Sequence, residues 1–319
     1  MKAAVRTIYG LPTVLTIQNR PMPIPKENEV LIKVHASTVN RSDCHVLTGK
    51  PLVMRLFTGL LKPKLASTGS DFAGEITEAG AKVHSYKVGD RVMGFGGVFG
   101  CGAHAQYITV PESTGMVIMP EQWSYPEAAA CLEGAVYACG LNRLKPQVGQ
   151  NALVLGATGA IGSAMVQILA SYGVHVTGVC RAKHTHLVRA IGAVKVLDYT
   201  REDFVQHQER YDFVLDAVGK YSFEWGKHLM KNKSIFLSSG GGIKHLVMVV
   251  YTAFWGTKKV VFSPLPNIKN DLMFIKGLMQ TGRFKPVIDQ TFPLTKIAAA
   301  YNYVMSGQKI GAVVLDLNE

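Results

Sequence analysis

No apolar run in the 319-residue chain approaches the ~18 residues that a spanning helix takes. The longest candidate, LVMVVYTAF from Leu246, is about half that length. Stable membrane insertion is therefore not expected. The opening MKAAVRTIYG lacks an apolar signal core, so secretion is not expected and a cytoplasmic protein is. Cysteine is scarce: Cys44, Cys101, Cys131, Cys139 and Cys180 are odd in number and scattered, which reads as reduced thiols rather than a disulfide set. There is no C-x-x-C pair and no H-E-x-x-H, so no metal site is expected on ligand count. Nor does any Ser/His/Asp set or nucleophile elbow stand out. Charged residues make up only 18%, yet the formal net charge is +12. No Lys/Arg block reaches five and no RNA-binding signature is visible, so nucleic acid is not an expected partner. The basic excess reads as a solvated surface that recruits anionic small ligands.

Two rhythms organise what is present. Up to about residue 120 the text is β-rich: EVLIKVHASTVN, DFAGEITEAG, DRVMGF and HAQYITV are short alternating or β-branched runs separated by glycine and proline turns. Short apolar strands then begin near Ala152, Val174, Lys195, Tyr211, Ser234 and Lys259, with helical stretches between several of them. That spacing predicts βαβ units and a six-stranded parallel sheet. After Gly282 a strand (FKPVIDQTFPL), a helix (TKIAAAYNYVMSG) and a last strand (GAVVLDL) close the chain.

The central motif is ALVLGATGAIGSA from Ala152, a strand, a glycine turn and a helix. Its register runs Ala157, Thr158, Gly159, Ala160, Ile161, Gly162, with alanine in the first glycine position. Such a turn lets a pyrophosphate approach the backbone, and free N–H groups at the helix start bind it. A dinucleotide is the expected ligand. Eighteen residues beyond Gly162 the next strand ends in Cys180, Arg181, Ala182, Lys183 and His184. An acid there bonds a ribose 2′-OH; Arg181 and Lys183 instead suit a 2′-phosphate. Tyr199, ending VKVLDY, is placed to add a contact. NADPH is expected over NADH. The competing reading makes both bases solvated loop cations.

At this point the chain resembles the medium-chain dehydrogenase/reductase superfamily, in its zinc-independent quinone oxidoreductase branch. The matching stretches are VNRSD (39–43), GSDFAGEITEAG (69–80), VGDRVMGF (88–95), GAHAQYITVP (102–111), PEAAAC (126–131), the turn at 157–162, LDAVG (215–219) and KPVIDQTFPL (285–294). The resemblance implies an α/β protein with a GroES-like β-rich catalytic domain, residues 1–121 and 283–319, around an inserted Rossmann domain, residues 122–282. The active site is then expected in the cleft between them. Zinc members carry cysteine where this chain has Asn40 and His-Glu where it has Ser70-Asp71. The expected chemistry is therefore metal-free hydride transfer to a quinone or an activated double bond in a small hydrophobic electrophile.

Site residues carry over by position. Asn40 is expected beside the nicotinamide and substrate carbonyl, Asp43 as an organiser of that loop, and His45 as either a proton donor or a backbone-bonded histidine. Ala217, Val218, Ser239 and Gly240 are expected on the nicotinamide-ribose side. Two departures affect substrate fit: Tyr137 stands where relatives have threonine, and Ala312 where they often have lysine. The branch also implies a homodimer formed through residues 259–263. The segments 51–64 and 243–259, apolar with spaced bases, read as an entrance rim, as packing segments or as a weak membrane-surface contact. Rival functions are a 2-alkenal or enoyl-thioester reductase and, in another class, an NADPH-loaded binding protein with vestigial catalysis. The physiological substrate is not encoded in any motif.

Overall fold

The computed structural model describes residues 1–97, 99–201, 208–240, 243–262 and 267–318. These form two compact units. One contains Gly134–Pro266 and Thr281–Lys285; the other contains Met1–Glu133, Asn267–Gln280 and Pro286–Glu319.

The first of these units is built on a six-stranded, all-parallel sheet. Its strands are β1 (Asn151–Leu155), β2 (His175–Cys180), β3 (Lys195–Asp198), β4 (Tyr211–Asp216), β5 (Met230–Ser238) and β6 (Lys259–Phe262). Their spatial order is 3-2-1-4-5-6, the doubly wound order of dinucleotide-binding sheets. The apolar runs seen in the sequence are the central strands: Leu153, Val154, Leu155, Val214 and Leu215 are fully buried. Strand starts fall close to the predicted ones except in β5, which begins at Met230, four residues before Ser234. Lys233 takes a positive φ of 60° there, and an irregular register with β4 accompanies it.

The other unit carries a seven-stranded sheet. The two C-terminal strands, Ile288–Pro293 and Ala312–Asp316, join it beside Glu29–Val39, which also pairs with Asp71–Ala79 and Tyr107–Pro111. Val313 and Leu315 therefore share a core with Val30, Ile32, Phe72 and Tyr301. The end of the chain thus completes a sheet begun near its start, as an inserted-domain architecture requires. The unit is wider than the division at 121/122 and 282/283. Helix Tyr125–Ala130 packs on strands Glu29–Val39 and Asp71–Ala79, and helix Ile268–Gln280 lies against Met116–Ile118.

Candidate functional site

Five of the six parallel strands bring candidate residues to one edge, the carboxyl ends of the sheet. After β1 the chain turns at Gly156, whose φ is +77° and whose Cβ, if present, would meet Val218 at 2.4 Å. The N–H of Ala157 donates to the Val179 carbonyl (3.1 Å), which seats the turn on β2. Helix Ala160–Ser171 follows, with Gly159 at its N-cap in extended conformation. A Cβ on Gly162 would lie 2.1 Å from the Gly156 carbonyl oxygen. Only glycine lets the helix start approach the turn this closely, so the first N–H groups of the helix stand open at the strand end. Alanine is accommodated at 157, a fully buried position with negative φ.

Register sets what stands together at the ends of β2 and β3. Asp198 pairs with Cys180 across β3 and β2, so the residues following each strand, Tyr199 and Arg181, become neighbours. Arg181 Nε donates to the Tyr199 hydroxyl at 2.8 Å. Lys183 lies exposed on the next turn, Ala182–His184. Cys180 differs from the expectation. It is 2% exposed, its Sγ donates to the adjacent Arg181 carbonyl, and burial pushes its thiol up to about 11. Its side chain belongs to the packed sheet end and offers nothing to a ligand.

On the other side of the β1/β4 switch point, Ala217 N donates to the Leu155 carbonyl (3.1 Å) and Val218 is half-exposed. A residue that motif reading passed over organises this corner. Asp216, fully buried at the end of β4, accepts from Val218 N (3.0 Å) and Gly219 N (2.9 Å) on one oxygen. Its other oxygen accepts from Tyr221 N (2.8 Å) and Ser238 Oγ (3.0 Å). Ser239 N donates to its carbonyl at 2.9 Å. The loops after β4 and β5 are thereby drawn together. A Cβ on Gly219 would come within 2.9 Å of the Gly240 Cα. Ser239 and Gly240 thus border the same crevice edge as Ala217 and Val218.

The remaining predicted residues lie in the other unit. The Asn40 N–H donates to the Asp43 carboxylate (2.8 Å), which caps helix Arg41–Thr48. Its side-chain amide donates to Thr38 Oγ1 (2.7 Å) and Asp71 Oδ2 (2.9 Å). Asp71 also accepts from the Thr38 N–H (2.8 Å) and hydroxyl (2.5 Å). His45 lies apart from this network: it is exposed, with Nδ1 2.9 Å from the Lys50 carbonyl oxygen. Tyr137, in contrast, belongs to the unit of the parallel sheet and is half-buried in helix Glu133–Ala138.

Glu133 is the other residue that sequence reading missed. It is 6% exposed and accepts from the Ser42 hydroxyl (2.7 and 2.8 Å) and from Ser70 (3.3 Å). Desolvation, reinforced by the Asp71 charge, raises its carboxyl to about 7 despite those donors and the field of Lys309. Burial likewise raises Asp71 to about 6. Asp43 is raised by burial and by the charges of Glu133 and Asp71. Lys309, three residues before Ala312, is a cation that acts on Glu133; its Nζ donates to the Gly311 carbonyl at 2.6 Å. Glu133 is followed by Gly134, where a Cβ would lie 2.7 Å from the Ala160 backbone.

Two family models match parts of the chain. Residues 26–121 match the family model described as alcohol dehydrogenase GroES-like domain, and residues 191–315 match the one described as zinc-binding dehydrogenase. The chain is 30% identical over 333 residues to the 2-methylene-furan-3-one reductase of Solanum lycopersicum, covering 99% of this chain and 79% of that protein. It is 30% identical over 329 residues to the chloroplastic NADPH-dependent alkenal/one oxidoreductase of Arabidopsis thaliana, with the same coverage. The Escherichia coli quinone oxidoreductase crystallised with NADPH has the same fold, with a TM-score of 0.83 at 21% identity over 99% of this chain and all of that one. The chain belongs to the medium-chain dehydrogenase/reductase superfamily, in its quinone oxidoreductase-like branch. The second family description mentions zinc, but the donor set does not fit that ion. Asn40 offers an amide, Ser70 a hydroxyl, and Asp71 is saturated by Thr38 and Asn40. Among the described residues no group of three or more His, Cys, Asp or Glu is arranged to hold a metal.

Proposed function

We propose that this protein is an NADPH-dependent reductase that delivers hydride to a quinone or an α,β-unsaturated carbonyl without a metal ion. The observation that carries the reading is Arg181, held by Tyr199 at the ribose end of a glycine-shaped crevice. The fit to NADPH follows from that edge. The helix start at Ala160, Ile161 and Gly162, with Thr158 and Gly159 before it, binds the pyrophosphate. Arg181 and Lys183 pair with the 2′-phosphate. Ala217, Val218, Ser239 and Gly240 border the nicotinamide ribose. Bound NADPH supplies the hydride.

The protein's own part is to orient and to hold a proton. Asn40 and Asp43 position the start of helix Arg41–Thr48 through the hydrogen bonds described above; His45 is left on the outside and takes no step. Glu133, raised to about 7, is a carboxyl of that unit able to hold a proton near neutrality, and its charge helps to raise its neighbour Asp43 as well. Oxidising a simple alcohol is hard without a Lewis acid to polarise it, and these donors suit none. Reduction of an activated double bond places charge on an oxygen that hydrogen-bond donors stabilise. The names of the two 30%-identical relatives, a furanone reductase and an alkenal/one oxidoreductase, support this substrate class.

The test is NADPH oxidation by chelator-dialysed protein against quinones, enones, short and long 2-alkenals and enoyl-thioesters. Turnover on at least one class is expected, with no response to added zinc and no faster oxidation of ethanol or benzyl alcohol with NADP⁺. A dominant alcohol activity overturns the mechanism. Tight NADPH binding with no turnover on the whole panel favours the binding-protein reading.

The cytosol suits the chain, since its five cysteines form no disulfide and reduced thiols persist there. A homodimer through residues 259–263 fits the position of β6, one of the two outer strands of the parallel sheet. Val260 is buried and Phe262 is 38% exposed; Ser263 lies outside the described residues. An open strand edge with an exposed aromatic ring is a pairing surface. Light scattering at micromolar concentration should return twice the chain mass, and a clean monomer argues against the dimer.

A further inference from the structure

The helix Ile243–Phe254 is apolar on two opposite sides. One side packs on the sheet. Met248 and Val249 join the core beneath β5 and β6, Thr252 accepts from the Val260 N–H (2.9 Å), and the His245 ring meets Phe262 at 4.8 Å between centroids. The other side carries Leu246, Val247, Val250, Tyr251 and Phe254, continued by Trp255. Each of these is more than half exposed, reaching 76% at Phe254. The spacing i, i+1, i+4, i+5, i+8, i+9 makes one continuous outward stripe. A helix apolar all round is ordinarily buried, and a stripe of this size marks a surface with a partner.

Charge selects the partner. Between residues 225 and 262 there is no aspartate or glutamate, and there are six lysines: Lys227, Lys231, Lys233, Lys244, Lys258 and Lys259. Lys231 pairs with Asp212 (2.8 Å). Lys258 Nζ donates to the Lys227 carbonyl and Lys259 Nζ to the Ala253 carbonyl, contacts that leave their charges unneutralised. Lys244 is exposed at one end of the stripe and Lys258 and Lys259 follow the other. A second copy of the chain set against this stripe brings lysine to lysine, whether the two helices run parallel or antiparallel, and supplies no acid. An anionic lipid surface accepts the apolar stripe and neutralises both ends. The aromatic cluster at one end, with Trp255 5.7 Å from both Tyr251 and Phe254, has the composition that settles at headgroup depth. At twelve residues the helix is about 18 Å long, too short to cross a bilayer and long enough to lie in its surface.

We propose that the outward stripe of helix Ile243–Phe254, with its flanking lysines, docks this protein reversibly on anionic lipid membranes. Docking of this kind places a reductase where apolar electrophiles partition, but it does not depend on the catalytic reading.

The experiment is co-sedimentation of the full-length protein with phosphatidylcholine vesicles, with and without phosphatidylglycerol. Binding is expected only to the anionic vesicles and is lost at high salt. Lys244→Glu should weaken it at least fivefold, since a lysine near an anionic surface is worth about that factor. Val247→Glu/Tyr251→Glu should abolish it, with circular dichroism and NADPH affinity unchanged. Should the double variant misfold, Lys244→Glu alone decides, because that residue is exposed and an acid suits a helix start. Absence of sedimentation with anionic vesicles overturns the proposal, as does equal binding to neutral ones or binding that both variants retain. If Val247→Glu/Tyr251→Glu instead converts a dimer to a monomer in light scattering and the parent ignores vesicles, the stripe belongs to a second copy.

Discussion

Replacing Arg181 with alanine should weaken NADPH binding about ten- to a hundredfold and leave NADH binding nearly unchanged. The lost interaction is a hydrogen bond between ions, worth roughly 1.5–3 kcal/mol, and ~1.4 kcal/mol is a decade in affinity. NADH has no phosphate at that position, so it has nothing to lose. The Tyr199 hydroxyl, 2.8 Å from Arg181 Nε, aims the guanidinium rather than touching charge itself. Tyr199→Phe should therefore cost less, roughly two- to tenfold, again for NADPH alone. Isothermal titration with both dinucleotides measures this. Equal weakening of both cofactors by Arg181→Ala would make the arginine a structural residue and remove the case for NADPH preference. An acid at Cys180 is a poorer probe than the sequence suggests, because that side chain is buried in the sheet end.

Stability should fall as pH rises from about 5 to about 8, and Glu133 should account for much of the fall. Its carboxyl is raised to about 7 in the fold, against 4.5 ordinarily. A raised acid binds its proton more tightly when folded than when unfolded. Its contribution is complete below the unfolded value and disappears as pH climbs through the folded one. The gap corresponds to something on the order of 3 kcal/mol. Asp71, raised to about 6 by burial, adds loss of the same sign at lower pH. Glu133→Gln keeps the shape and removes the titration. Its melting temperature should drop several degrees less than that of the parent between the two pH values. If the two proteins lose stability in parallel, the carboxyl is ionised in the fold and cannot be the proton-holding group.

These two tests rest on residues of very different legibility. The glycine turn was readable because a backbone constraint leaves a residue-type signature: Gly156 takes a positive φ, and Gly162 has no room for a Cβ. Arg181 and Tyr199 were readable because strand spacing alone places strand ends in register. Glu133 was not. In PEAAACLEGA it looks like any acid opening a helix, and its meaning comes from Ser42 and Ser70, 91 and 63 residues away. The same holds for Lys309, which supplies a cation near the position where Ala312 had suggested one was missing. The segment 243–259 stayed open between rim, packing and membrane contact for a third reason. An apolar string states that a side chain avoids water, but not whether another part of the same chain provides the shelter.

Asp216 has a consequence for how this edge can change. Because one carboxylate fastens Val218, Gly219 and Tyr221 to Ser238 at the end of β5, and Gly219 leaves no room for a Cβ against Gly240, these residues hold one another in place. They make a single cassette with one fastener. Transplanting one loop from a relative without the other exchanges a fitted pair for two mismatched halves, whereas moving both together with the aspartate carries the crevice wall intact. Drift at this edge is confined to the few side chains that face outward from the pair, and new specificity is more readily reached by exchanging the cassette than by altering its members one at a time.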